Sequence, residues 1–82
     1  MAIVTKTATV AGYGVCSAIG TAPFSKIQEG GPSGAYRVVD ANGLGAKLKI
    51  NGEAATSVFA KTSHSSGALD AILVAVNAAV GV

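Results

Sequence analysis

Tryptophan is absent from this chain, and cysteine, histidine and methionine occur once each. The lone Cys16 excludes an intrachain disulfide, and with it the small secreted scaffolds stapled by cystines. The lone His64 leaves too few nitrogen and sulfur ligands for a tetrahedral zinc site made by one chain. Charge is scarce as well: Asp, Glu, Lys and Arg make up 12% of the residues, about half the share usual in a soluble domain. No apolar run reaches the roughly 20 residues of a membrane-spanning helix, so no membrane span is expected. Lys6 followed by ATVAGYGVCSAIGTA imitates an export signal, but Thr7, Thr9, Gly12 and Gly14 interrupt its apolar stretch. The chain is therefore expected to be made in the cytoplasm without a signal peptide.

What is present is a short, aliphatic chain of 82 residues, half of them hydrophobic. This is a single small domain, 1–82, with a Gly/Pro/Ser loop at 30–34 that is a breaker and not a domain boundary. A chain of this size buries only about 60% of the surface its unfolded form exposes. Alanine supplies much of the apolar content and little area, and the aromatics are limited to Tyr13, Phe24, Tyr36 and Phe59. With disulfide and metal excluded, oligomerisation is the remaining way to strengthen such a core. So few charges also leave a monomer with a large apolar surface, which normally marks an interaction site.

The net charge is +2, from Lys6, Lys26, Arg37, Lys47, Lys49 and Lys61 against Glu29, Asp40, Glu53 and Asp70. The cations are scattered along the sequence, with no basic run interleaved with aromatics, so no nucleic-acid contact is expected. The carboxylates have local explanations: Asp40 and Glu53 flank turns, Glu29 ends a short helix, and Asp70 lies in the first turn of another. No pair of acids is set up for acid–base work. Cys16 has no basic neighbour and reads as a small buried hydrophobe. His64, among serines, reads as an exposed loop histidine with no third group to orient it. No cofactor is expected, and the chain is read as not an enzyme.

Ile3–Val10 alternates, with Ile3, Thr5, Thr7 and Thr9 on one side and Val4, Lys6, Ala8 and Val10 on the other, predicting a strand. Gly12-Tyr13-Gly14 has the outline of a dinucleotide-binding turn, but Asp40 lies too far on for a ribose-binding acid, and the glycines mark a bulge, a bend or a close strand contact. Ala22–Gly31 reads as a turn or short helix with Pro23 at its first position and Gly30 past its end. Segments 35–40, 44–50 and 53–60 are separated by Asn42-Gly43 and Asn51-Gly52, the preferred pair for two-residue type I′ hairpins. The middle segment sets Ala46, Leu48 and Ile50 against Lys47 and Lys49, a half-buried strand with a wet lysine face.

The densest aliphatic stretch is Ser65–Val82. Ser65 or Ser66 is a plausible N-cap, and Leu69, Ile72, Leu73, Val76 and Val80 recur at helical spacing, with Gly81 as the stop. A long buried strand is the rival reading, disfavoured by length and alanine content. Ala71, Ala75 and Ala78 form a second, small-residue stripe.

The fold expected is α+β: a small antiparallel sheet, read as a meander, with the C-terminal helix packed on one face. The surfaces left over are Ala71, Val74, Ala75, Ala78 and Val82 on the helix and Thr5, Thr7 and Thr9 on the first strand. These are the residues expected to contact copies of the same chain, or other structural proteins of the same assembly. The function expected is a non-enzymatic structural subunit that self-assembles in many copies, of the coat, decoration or tail type found in bacteriophage particles. Two alternatives are a membrane-active, pore-forming small protein and a small module binding an anion or nucleotide at Gly12–Gly14.

Overall fold

In the computed structural model, residues 3–28 and 34–79 are described. Among these residues six strands precede one helix: β1 (Val4–Val10), β2 (Gly14–Gly20), β3 (Ser25–Gln28), β4 (Ala35–Val39), β5 (Lys47–Ile50), β6 (Val58–Ala60) and α1 (Ser66–Ala78). The fold is α+β, as the patterning predicts. The strands divide between two antiparallel sheets of three, ordered β1-β2-β5 and β3-β4-β6, instead of forming one meander. Single bridges at Val39–Gly45 and Leu48–Thr56 stitch the sheets together.

The β1–β2–β5 sheet follows from its alternation. Val4, Lys6 and Ala8 are half-buried and Val10 buried, while Thr5, Thr7 and Thr9 face out. On β2 the buried residues are Cys16, Ala18 and Gly20, and on β5 Leu48 and Ile50. The register aligns Ala8 with Cys16 and Cys16 with Ile50, and Lys6 with Ala18 and Ala18 with Leu48, so one face of the sheet is continuous. β2 has no counterpart in the sequence reading, because its inward side is built from small residues and flanked by glycines. Its first residue, Gly14, must be bare: a Cβ there would run into the Asn51 side chain. Gly12–Gly14 thus turns one strand antiparallel onto the next, with no helix following as a dinucleotide turn requires.

Local expectations are corrected at four places. Ala22–Gln28 is not helical: β3 pairs with β4, setting Lys26 opposite Val38 and Gln28 opposite Tyr36. So short a segment has no stable helix of its own, and its backbone is claimed from outside at Phe24, as described below. The remainder of that segment and of loop 30–34, up to Ser33, lies outside the described residues.

The two Asn-Gly pairs also differ. Asn51 and Gly52 both have positive φ (44° and 89°), and the Glu53 amide donates to the Ile50 carbonyl at 3.0 Å, the expected I′ conformation. At Asn42-Gly43 only the glycine has positive φ. There the Asp40 carboxylate accepts the amides of Asn42 (2.9 Å) and Leu44 (3.1 Å), opening a wider loop that displaces the two-residue turn.

The C-terminal run is helical, and Ser65 is its N-cap, with its hydroxyl accepting the Ala68 amide at 3.1 Å. Asp70 falls beyond the first turn and serves instead as an ion-pair partner of Lys26. Ala79 caps the helix in an extended conformation, so it ends before Gly81; Val80 to Val82 lie outside the described residues. Ala68, Leu69, Ile72, Leu73 and Val76 are buried. Leu69, Ile72, Leu73 and Val76 join Leu48, Val38, Tyr36, Phe59 and Ile50 in one core, to which each fully buried large aliphatic contributes about 1.5–3 kcal/mol.

Candidate self-association surface

The residues expected at a self-association surface fall on two opposite sides of the molecule. Thr5, Thr7 and Thr9 stand on the outer face of the β1–β2–β5 sheet, opposite Ile19, Ser17 and Val15 respectively. The helix lies on the other face. There Lys6 donates from Nζ to the Asn77 carbonyl at 3.2 Å, at the C-terminal end of α1. Ala71, Val74 and Ala78 point away from the core, with Val74 69% exposed, whereas Ala75 is half-buried and packs against it. Val82 lies outside the described residues. Among the described residues β1 is an edge strand with β2 as its one neighbour in the sheet, so half of its backbone groups face outward.

A third apolar patch was not legible beforehand. Ile27, Arg37 and Val58 form one cross-strand row on the outer face of the β3–β4–β6 sheet, where Ile27 and Val58 are each 51% exposed. Its signal in the sequence was weak, because β3 and β6 are only four and three residues long.

The polar side chains mostly hold the frame. Asn77, one of two polar interruptions in the aliphatic run, is half-buried and pairs with the backbone of Phe24. Its Oδ1 accepts the Phe24 amide at 2.8 Å, and its Nδ2 donates to the Phe24 carbonyl at 2.9 Å. Lys26 donates to the Ser66 carbonyl at 2.7 Å and pairs with Asp70 at the same distance. Asp40 is buried where the two sheets meet. Burial works against its charge, but the amides of Thr21, Leu44 and Asn42, together with its own, hold its carboxyl below the ordinary value.

Cys16 is fully buried, as expected. Burial pushes its thiol above the usual range, partly offset by the Asn51 amide and reinforced by the charge of Glu53. His64 departs from expectation: it is half-buried, edge-on to Phe59 with ring centroids 5.2 Å apart, and its Nε2 lies 3.5 Å from Glu53. The aromatic contact draws the imidazole inward, and Glu53 is the carboxylate beside it.

Among the described residues there is no cleft. Nor do any three His, Cys, Asp or Glu side chains gather as a metal site would require. No described helix is long and apolar enough to cross a membrane. The chain matches no protein-family model, and no curated protein and no solved structure matches it.

Proposed function

We propose that this protein is a non-enzymatic structural subunit that assembles in many copies. The observation that carries this reading is the opposite placement of two exposed stripes, the threonine row with Val15 and Ile19 on one side and Ala71, Val74 and Ala78 on the other. A single self-complementary patch closes into a dimer, whereas patches on opposite sides let each copy hold two neighbours and extend into a ring or filament. The β1 edge adds unpaired backbone groups to the first side. The helix stripe is built from small residues, which permit close approach of another element. The setting we propose is a virus particle of the bacteriophage type, as a coat, decoration or tail subunit.

The membrane-active alternative has less behind it. The large aliphatics that α1 would need for a lipid surface, Leu69, Ile72, Leu73 and Val76, are committed to the core. The Gly12–Gly14 module lacks the helix start that would complete an anion site.

Light scattering and sedimentation over a concentration series test the proposal. The expected result is a mass far above the 8.0 kDa of one chain, reduced by Val74→Asp, which places a charge in the helix stripe without touching the core. A folded monomer at every concentration would overturn it.

A further inference from the structure

We propose that Arg37, Lys47 and Lys49 form a basic stripe that binds the phosphate backbone of nucleic acid without reading its sequence. Lys47 and Lys49 share one strand, and the junction between the sheets brings the Arg37 side chain to the segment entering that strand. Lys47 and Lys49 point outward on β5, opposite Ile19 and Ser17. Their Cα atoms are about 6.6 Å apart at ordinary strand rise. β4 runs antiparallel beside the segment entering β5, through the Val39–Gly45 bridge and the Ala46 amide donating to the Val38 carbonyl at 3.0 Å. At Arg37 itself the neighbours of β4 are Ile27 and Val58, so it is the long side chain that reaches across to the segment entering β5. The guanidinium rests beside Gly45, with Nη2 3.8 Å from where a Cβ on that glycine would stand. The cations therefore succeed one another along one outward strip.

Among the described residues their charge has no partner within the chain. Of the six basic residues, Lys6 is directed to the end of α1, Lys26 to Asp70 and the Ser66 carbonyl, and Lys61 to the face of Tyr36 at 5.4 Å. Arg37, Lys47 and Lys49 are exposed, with no carboxylate in ion-pair range among the described residues. Asp70 and Glu53 are engaged with Lys26 and His64, and Asp40 is buried under backbone amides.

Hydroxyls flank the strip: Ser17 faces Lys49, and the Ser57 hydroxyl sits beside Gly45. Lysine, arginine and hydroxyl groups together are the set that contacts phosphate oxygens. Phe24, Tyr36 and Phe59 are buried and Tyr13 packs against the core, so the strip has no stacking platform for bases. Each copy thus contributes weak contact to the backbone alone. Copies aligned in an assembly would multiply it through effective concentration.

The test is fluorescence anisotropy of a labelled oligothymidylate and of a duplex of equal length, titrated with the intact protein over a salt series. Three phosphate contacts predict a slope of log K against log salt of about −2 for the single strand and about −2.7 for the duplex. The pair Lys47→Gln and Lys49→Gln should cut each slope to about one third, with the circular dichroism spectrum unchanged, while Lys61→Gln should leave it unaltered. The proposal is overturned if the wild type shows no salt-sensitive binding, or if Lys61→Gln weakens binding as much as the stripe pair does. It is likewise overturned if the stripe pair alters only self-association, which would mean that the strip meets an acidic protein surface.

Discussion

The β1–β2–β5 sheet and the β3 strand are fastened to α1 by different physics, although Val38, Tyr36 and Phe59 of the second sheet also enter the core that the helix shares. The β1–β2–β5 sheet lies under the helix as a continuous apolar face, Val10, Cys16, Ala18, Leu48 and Ile50, sharing a core with Leu69, Ile72, Leu73 and Val76. The β3 side is tied to the same helix by directional polar contacts, Asn77 to Phe24 and Lys26 to Ser66 and Asp70. Apolar burial tolerates sliding but contributes most of the energy. Polar ties contribute less and fix where β3 and the residues leading into it sit. A small domain with few aromatics thereby obtains a defined arrangement from two side chains of α1, Asn77 and Asp70.

The largest effect should come from the apolar side. Ile72→Ala removes a fully buried side chain and should cost about 2–5 kcal/mol, enough to unfold much of a domain whose whole stability is of that order. Urea denaturation followed by circular dichroism measures it, and a loss below about 1 kcal/mol would mean that the helix is not seated in the core.

Next comes Asn77. Asn77→Ala leaves the Phe24 amide and carbonyl without their partner and should cost about 1–3 kcal/mol. Asn77→Asp keeps the acceptor for the Phe24 amide and loses the donor to its carbonyl, so it should fall between wild type and alanine. Hydrogen exchange at the Phe24 amide distinguishes a lost tether from general destabilisation, because the tether protects that one amide.

Acid should act at the junction between the sheets. The folded carboxyl of Asp40 lies below its ordinary value of 3.8, so the stability linked to it is complete above that pH and is lost as pH falls through the folded value. Melting temperature measured from pH 5 down to pH 2 should drop in that window, and Asp40→Asn should flatten that part of the drop while lowering stability at neutral pH. The smallest effect should be Asp70→Asn. Asp70 is largely exposed, and its pairing with Lys26 is worth about 0–1 kcal/mol and less at high salt.

Much of the apolar framework was legible residue by residue. The alternation of Ile3–Val10, the Lys47/Lys49 face and the helical stripe from Leu69 to Val76 are all observed as their periods predict. Period reports which side of an element is buried, and burial dominates the energy. β2 escaped because Cys16 and Ala18 are too small to mark a face. Ala22–Gln28 was misread because a proline, an inward aromatic and a following glycine suit a short helix as well as a strand. Of the candidate association residues, the outward aspect of Thr5, Thr7, Thr9, Ala71, Val74 and Ala78 was legible, while the Ile27–Val58 patch was not.

Composition and periodicity by themselves determined the class of this protein: α+β, short of charge, without an intrachain disulfide, and with more apolar surface than its core consumes. Tertiary structure alone decided that the strands form two sheets, that Asn77 binds a backbone 53 residues away, and that the Arg37 guanidinium comes beside Gly45. The physical reason is range. Side-chain period and turn chemistry act over a few neighbouring residues, whereas sheet partition and cross-chain tethers depend on which distant segments can satisfy one another's hydrogen bonds once the core has closed.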